Sequence, residues 1–166
     1  YQYIAAVAAA LPSQAVEALE KNPKVAYVEP DFEVYALARP PALAKPPQPP
    51  PQPSETIPWG ISKIRAPEAW ATSRGTEIKV AILDTGIDIT HPDLRVVGGV
   101  TYVWGTRSYN DDNGHGTHVA GIVAALDNDI GVIGVAPEAA LYAVKVLNRY
   151  GSGYISWIIA GIEWSI

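Results

Sequence analysis

Two histidines lie three residues apart where an apolar run begins. His115 and His118 belong to the stretch NDDNGHGTHVAG at residues 110–121, and glycines stand on both sides of His115. A histidine can serve as a general base, as a metal ligand or as a packed residue of the core. The first question about this chain is therefore which of these roles each histidine takes.

The surroundings of His115 favour a general base. Asp84 directly follows the apolar run VAIL, which is typical of a strand buried in a parallel sheet. Reactive side chains gather at the carboxyl ends of such strands, so we expect Asp84 beside a helix that opens at NGHGTH. A carboxylate there would accept a hydrogen bond from one ring nitrogen of His115 and leave the other as a base. Gly114 and Gly116 would then leave room for a substrate backbone.

Zinc is the competing interpretation of the two histidines. Helices of zinc hydrolases usually carry histidines four residues apart with a glutamate beside the first, and that pattern is absent from NGHGTHVAG. We therefore expect His118 to be a buried structural neighbour of His115, held by a backbone hydrogen bond, and not a ligand.

Three segments of different composition must position these residues. Residues 1–38 predict a small α+β unit, with a strand at YQYIAAVAA, a helix at SQAVEALEKNP capped by Ser13, and a strand at KVAYVEPDFEVYALA. Residues 39–54 hold eight of the fifteen prolines, which favours a stiff polyproline linker.

Residues 55–166 predict an α/β domain with a doubly wound parallel sheet. Apolar strands at IKVAIL and LYAVKVL alternate with amphipathic helices at THVAGIVAAL and SWIIAGIEWSI. An order of strand, helix, strand and helix is typical of crossover connections between parallel strands.

Composition excludes several classes of function. The net charge of −5 argues against nucleic acid and anionic membranes as partners. No apolar stretch approaches the roughly 20 residues needed to span a bilayer. The absence of cysteine excludes disulfide bonds and thiol chemistry. Because methionine is absent even at position 1, and the last helix pattern stops uncapped at Ile166, we expect a piece of a longer protein.

A series of motifs resembles a known family. AILDTGID, HPDL, NGHGTHVAG, GVIGVAP, LYAVKVL and GSGYISWIIAGIEW follow one another as in the first part of subtilisin-like serine proteases. NPKVAYVEPD, within residues 1–38, resembles the second half of that family's inhibitory propeptide. The resemblance implies that Asp84 is the aspartate of the catalytic triad, that His115 is its base and that His118 is structural.

The same resemblance implies a complete protein that is a secreted serine endopeptidase, and a maturation site that lies within or beside the linker at residues 39–54. It would cleave polypeptides and be inhibited by its own propeptide, with Glu29 and Asp31 capping helices of the catalytic domain. The family's nucleophilic serine lies in a GTSMA motif, which the 166 residues do not contain, so we expect this chain alone to be inactive. Two alternatives stay open, namely a propeptide-type inhibitor or folding module and a pseudoenzyme that only binds peptides. The sequence beyond Ile166 would discriminate between them.

The resemblance further implies a substrate edge and a calcium site. Extended substrates would pair with Gly151, Ser152 and Gly153, and an apolar side chain would enter a pocket lined by Leu147 and Ile158. In LDNDIGV, oxygen-bearing groups alternate as a calcium loop requires, although a solvated acidic turn would give the same pattern. The implied calcium ligands are Glu55, Asp93, Leu126, Asn128, Ile130 and Val132.

Overall fold

The computed structural model describes residues 1, 3–36 and 54–166, so the predicted linker at 39–54 lies outside the described residues except for Ser54. The predicted segment boundaries stay predictions. The elements in the described residues are α1 (Ser13–Glu20), β1 (Glu33–Tyr35), α2 (Trp59–Lys63), α3 (Ala66–Ala69), β2 (Lys79–Asp84), β3 (Val96–Thr101), α4 (His115–Ala124), β4 (Ala140–Lys145), β5 (Ser152–Tyr154) and α5 (Ile155–Ser165).

A parallel sheet with the order β2-β4-β3 forms the centre of the larger part of the chain. β4 lies in the middle and pairs along its whole length with β2, from Lys79 opposite Ala140 to Asp84 opposite Lys145. The same Lys145 lies opposite Thr101 of β3. All three strands therefore end at one edge of the sheet, where Asp84 and Lys145 are neighbours.

Helices cover both faces of this sheet, which confirms the predicted α/β fold with a doubly wound parallel sheet. On one face, Ile82 and Leu141 pack with Ala120 and Ala124 of α4. On the other face, residues of β2 and β4 pack with Trp157 and Ile158 of α5. Successive residues of a strand point to opposite faces, so each strand supplies side chains to both clusters.

The helices bury smaller side chains than their apolar patterns predict. In α4, Ala120 and Ala124 are fully buried, whereas Ile122 is exposed. In α5, Gly161 is buried and leaves no space for a side chain, since a Cβ there would lie 2.8 Å from Val146 Cγ1, whereas Ile162 is exposed. Small residues let each helix approach the sheet closely, while Ile122 and Ile162 point to solvent.

Strand β3 was missed by the sequence reasoning. Its sequence VVGGVT contains two glycines, which weaken a strand pattern, and its pairing is irregular between Val96 and Gly98. Gly99 has no space for a side chain, because a Cβ would lie 2.3 Å from the carbonyl oxygen of Ala143. The glycines that weaken the strand pattern in the sequence are thus the residues that allow β3 to pack closely against β4.

The N-terminal segment differs most from prediction. The strand predicted at YQYIAAVAA is absent from its described residues, and the backbone N–H groups of Tyr3 and Ile4 donate to Glu163 of α5 instead of to a neighbouring strand. Ser13 is the first residue of α1 and not its N-cap, which is Pro12. The strand predicted at KVAYVEPDFEVYALA is reduced to β1 within its described part.

β1 finds its partner in the later part of the chain. It pairs antiparallel with β5, and Val34 lies opposite Gly153. Asp31 caps the start of α5, since its Oδ1 accepts a hydrogen bond of 2.9 Å from the Ser156 backbone N–H. Among the described helices, none has the length and apolar character needed to cross a bilayer.

Candidate active site

Asp84 and His115 form a hydrogen-bonded pair at the carboxyl edge of the sheet. Nδ1 of His115 lies 2.8 Å from both carboxylate oxygens of Asp84. The Asp84 side chain is 10% exposed and that of His115 is 39% exposed, so the carboxylate is shielded while the imidazole ring reaches solvent. A carboxylate at Nδ1 favours the tautomer that carries its proton there, which makes Nε2 the acceptor. This is the geometry of a base oriented by an acid.

Two glycines allow this close approach of α4 to the end of β2. A Cβ at Gly116 would lie 2.1 Å from the carbonyl oxygen of Gly86, and Gly86 itself has a φ of 102°. The sequence was interpreted as placing Gly116 on the substrate side of His115, and the structure corrects this: Gly116 serves the packing of helix against strand. Gly114, with a φ of 101°, has open space around it.

A second carboxylate, Asp111, fixes the turn that leads into α4. Its Oδ1 accepts hydrogen bonds from the Thr85 hydroxyl and the backbone N–H groups of Asn113 and Gly114. Its Oδ2 accepts two more, from the backbone and the hydroxyl of Thr117. Burial by itself raises the pKa of Asp111, but these hydrogen bonds outweigh it and hold the pKa below the usual value.

Thr85 connects Asp111 to the Asp84–His115 pair. Its backbone N–H donates to Asp84 Oδ1 over 2.7 Å, and its hydroxyl accepts a hydrogen bond of 3.0 Å from the Gly116 backbone. Both Thr85 and Asp111 were missed by the sequence reasoning. The signal that could have found them is the run of short polar residues on either side of the two predicted site residues, at DTG and NDDNG.

Lys145 is a buried cation at the same edge and was also missed. Its side chain is 1% exposed, and its ammonium donates to Asp112 Oδ1 over 2.6 Å, to the carbonyl oxygen of Leu147 over 3.1 Å and to the carbonyl oxygen of Thr85. Lysine is rarely buried without a partner, so a lysine inside the apolar run LYAVKVL was the available signal.

His118 does not occupy the position predicted for it. The residue is exposed, although its backbone N–H donates to the carbonyl oxygen of Gly114 as expected in a helix. The expectation that His118 is buried is therefore wrong. The sheet is packed against the face of α4 that carries Ala120 and Ala124, and His118 lies outside that face. In the described residues there is no group of three or more His, Cys, Asp or Glu side chains placed to share a metal.

The predicted substrate edge carries a strand of the chain itself. Gly151, Ser152 and Gly153 are buried, and β1 lies along them with Tyr35 opposite Ser152 and Val34 opposite Gly153. Leu147 is buried in a cluster with Val144 and Val146, against which Ile158, Trp157, Val34 and Ala36 pack. The structure thus brings the five predicted substrate-binding residues together.

The serines of this region are engaged elsewhere. The Ser152 hydroxyl accepts a hydrogen bond of 2.9 Å from the Asn148 amide, and the Ser156 hydroxyl donates to Asp31 Oδ2 over 2.5 Å. Neither hydroxyl hydrogen-bonds to His115 in the described part of the chain. The geometry therefore offers an oriented base without a nucleophile from these two serines.

The residues predicted to bind calcium also lie close together. The loop 126–132 pairs with the segment at Glu55 through bridges of Ser54 with Ile130 and of Thr56 with Val132. Glu55 Oε1 accepts a hydrogen bond of 2.7 Å from the Asn128 backbone N–H. Asp93 Oδ2 accepts one of 3.2 Å from the Val132 backbone N–H, and the Asp93 backbone carbonyl oxygen accepts one of 3.0 Å from the Leu126 backbone N–H.

Asp93 is the residue of this site with an unsatisfied atom. It is 3% exposed, and its Oδ1 is a buried oxygen without a hydrogen-bond partner among the described residues. Burial raises the pKa of Asp93, while the hydrogen bond from the Val132 backbone and the proximity of His91 act in the opposite direction. A buried carboxylate oxygen that no described donor reaches is a position where a cation fits.

Comparison with known protein families agrees with this geometry. Residues 75–166 match the model of the Subtilase family, and residues 1–37 match the model of Peptidase inhibitor I9. The chain therefore belongs to the Subtilase family, with an inhibitor-type segment before the α/β part.

Several curated proteins are similar along the whole chain. Subtilisin E of Bacillus subtilis is 48% identical over 168 residues, which is 100% of this chain and 40% of the relative. An alkaline protease of Shouchella clausii is 46% identical over 99% of the chain, and alkaline elastase YaB of a Bacillus strain is 43% identical over 99% of the chain. The chain spans about 40% of the length of these relatives, at 39–40%.

Proposed function

We propose that the protein to which this chain belongs is a secreted serine endopeptidase, and that Asp84 and His115 are two members of its catalytic triad. The observation that carries the proposal is the contact of 2.8 Å between His115 Nδ1 and the buried carboxylate of Asp84. In such a triad the carboxylate orients the imidazole, whose Nε2 takes the proton of a serine as that serine attacks a peptide carbonyl. The serine would lie outside these 166 residues.

The test is labelling of the complete protein with a fluorophosphonate probe, together with cleavage of casein. His115→Ala should lower kcat by roughly a factor of 10^6, the magnitude that belongs to subtilisin, a member of the same family. His118→Ala is the matched control, since His118 is exposed on the same helix, and it should retain most of the activity. Loss of activity in His118→Ala with activity retained in His115→Ala would overturn the assignment.

Residues 1–36 are proposed to inhibit the enzyme by occupying its substrate edge. Support comes from the pairing of β1 with β5, from Asp31 at the start of α5, and from Tyr3 and Ile4 bound to Glu163. A polypeptide substrate would add to the same edge as an extended strand, with main-chain hydrogen bonds giving affinity and pockets giving selectivity. The segment that covers the edge therefore competes with substrates.

Val34 and Tyr35 give a matched pair for testing this inhibition. Val34 packs against the Leu147 cluster, whereas Tyr35 is 70% exposed on the other side of the same strand. In the complete precursor, Val34→Asp should shorten the lag before proteolytic activity appears, because a charge must then be desolvated against apolar side chains. Tyr35→Asp should leave the lag unchanged. Equal lags for both variants would contradict the proposal.

We also propose that a calcium ion binds to Asp93 and to the loop 126–132. The two carboxylates would come from Asp93 and Glu55, the amide oxygen from Asn128, and the carbonyl oxygens from Leu126, Ile130 and Val132. Calcium takes six to eight oxygen ligands and accepts carbonyl groups readily. The buried Oδ1 of Asp93, which has no partner among the described residues, supports this choice. The ion would stabilise the fold and take no part in the chemistry at His115.

A further inference from the structure

Asn113 and Gly114 form a chemically labile pair that lies just before the proposed base. Asparagine loses its side-chain amide most readily when glycine follows, because a residue without a Cβ lets its backbone nitrogen reach that amide. Among the asparagines of the sequence, Asn113 alone is followed by glycine. Gly114 is exposed, and a Cβ there would have no atom within 4 Å, so water has access to this bond.

Deamidation of this pair requires no reactant other than water. The Gly114 nitrogen attacks Cγ of Asn113 and closes a cyclic imide, while the Cγ–Nδ2 bond breaks and the proton of the Gly114 N–H ends on the leaving ammonia. Water then opens the imide. Opening at Cγ gives aspartate, whereas opening at the main-chain carbonyl of residue 113 gives isoaspartate, whose main chain runs through the side chain and is longer by a methylene.

The fold holds both of the groups that must react. The Gly114 backbone N–H donates to Asp111 Oδ1 over 2.9 Å, and Nδ2 of Asn113 donates to the carbonyl oxygen of Arg149 over 2.9 Å. Imide formation removes both donors, because the Gly114 nitrogen loses its proton and Nδ2 leaves. Although burial raises the pKa of Asp111, its hydrogen bonds hold that pKa below the usual value, so the carboxylate is a weak base toward the Gly114 N–H.

Asn113 also positions the backbone of His115. Its Oδ1 accepts a hydrogen bond of 3.1 Å from the His115 backbone N–H, at the first residue of α4. A main chain lengthened at residue 113 would change the path of the chain directly before His115, whose Nδ1 lies 2.8 Å from Asp84. A misplacement of about 1 Å in an active site can lower the rate by about a factor of 100.

We propose that Asn113–Gly114 is a site of spontaneous deamidation, that the folded turn slows the reaction by holding both reacting groups, and that the isoaspartate product displaces His115. The loss of activity that follows from this displacement rests on the proposed function. The modification and its slowing by the fold do not.

The experiment compares the complete protein in buffer and in concentrated urea at mildly alkaline pH, with a reversible inhibitor present to prevent self-digestion. Peptide mapping by mass spectrometry locates each converted asparagine, and an isoaspartyl methyltransferase labels isoaspartate. In buffer, Asn113 should convert at least about tenfold more slowly than in urea, because a reaction through an opened state follows the population of that state.

Asn110 is the matched control position. It lies in the same turn and is exposed, but Asp111 follows it and not glycine. In urea, where the contacts of the turn are lost, Asn113 should convert faster than Asn110.

The effect on His115 is measured on the converted protein, which ion exchange separates by its added negative charge. The isoaspartate fraction should have a kcat lower by about a factor of 100. Asn113→Asp supplies the aspartate product with a main chain of unchanged length, so this variant should lose less activity than the isoaspartate fraction.

Each part of the inference has an outcome that overturns it. Equal rates at Asn113 and Asn110 in urea would overturn the site, and equal rates at Asn113 in buffer and in urea would overturn the slowing by the fold. An isoaspartate fraction as active as the unmodified protein would overturn the displacement of His115. A protein that converts at Asn113 but never shows peptidase activity would keep the site and lose the proposed function, and the NMR signals of the His115 ring would then report the displacement.

Discussion

The carboxyl edge of the sheet and the loop 126–132 each contain a carboxylate that accepts backbone hydrogen bonds, but the two carboxylates differ in how many of their oxygens have partners. At the edge of the sheet, Asp111 accepts five hydrogen bonds from Thr85, Asn113, Gly114 and Thr117. At the loop, Asp93 Oδ1 is buried and has no hydrogen-bond partner in the described part of the chain. The first site is therefore organised by the fold alone, and the second has a place for a ligand.

This difference agrees with the two roles proposed above. A base that must accept a proton works best when its neighbours are fixed beforehand, because no reorganisation is then required during the reaction. An ion site can leave oxygens unsatisfied, because the ion compensates them when it binds and the binding free energy adds to the stability of the fold. Three substitutions can test the comparison. The first disrupts the packing at the edge of the sheet, the second removes a carboxylate of the proposed calcium site, and the third measures what the charge of Asp111 contributes to stability.

The largest effect is expected for Gly116→Ala. The added Cβ would lie 2.1 Å from the backbone carbonyl oxygen of Gly86, which cannot move without displacing the end of β2. We expect the free energy of unfolding to fall by about 3 kcal/mol or more, with loss of the contact between Asp84 and His115. Denaturant unfolding of the complete protein measures the loss.

Gly121→Ala is the control for this change. Gly121 lies on the same helix with no atom within 4 Å of the added Cβ, so the substitution should stabilise the protein by about 0.5–1 kcal/mol. If Gly116→Ala were as stable as Gly121→Ala, the close approach of α4 to β2 would not be what positions His115.

A smaller effect is expected at the loop. Calcium at one hundred times its dissociation constant should stabilise the complete protein by about 2.7 kcal/mol, and Asp93→Asn should remove most of this gain. Asp129→Asn is the matched control, since Asp129 is exposed in the same loop and asparagine tolerates its φ of 71°. Thermal unfolding with calcium and with a chelator measures both. Identical Tm values in the two solutions for the wild type would contradict the site.

The sequence predicted the elements whose apolar pattern is strong and whose neighbours are near in the chain. β2, α4, β4 and α5 were predicted within a few residues, and the predicted pair of Asp84 and His115 lies at hydrogen-bonding distance. Such segments are determined mainly by their own hydrophobic periodicity. The catalytic roles of the pair stay predictions, because a distance does not measure turnover.

The features that the sequence did not predict depend on partners far along the chain. The backbone of Tyr3 is bound by Glu163, 160 residues away, so the local strand pattern of YQYIAAVAA did not decide its structure. β3 depends on glycines that fit against Ala143 and Tyr109. The exposure of His118 depends on which face of α4 meets the sheet, and this face is selected by Ala120 and Ala124.

The smallest effect concerns the pH dependence of stability at Asp111. Its pKa is lower in the folded chain than in the unfolded chain, so its contribution is present above the unfolded value of about 3.9 and is lost as the pH falls through the folded value. Asp111→Asn should therefore reduce the free energy of unfolding by about 2 kcal/mol at pH 7, because an amide places N–H groups against the donors of Thr117. The difference from wild type should shrink toward zero below about pH 4. Urea unfolding of both proteins at a series of pH values measures it, with the exposed Asp129→Asn as control. A difference that is the same at pH 7 and in acid would mean that Asp111 acts through shape and not through its charge, and the contrast with Asp93 would then rest on packing alone.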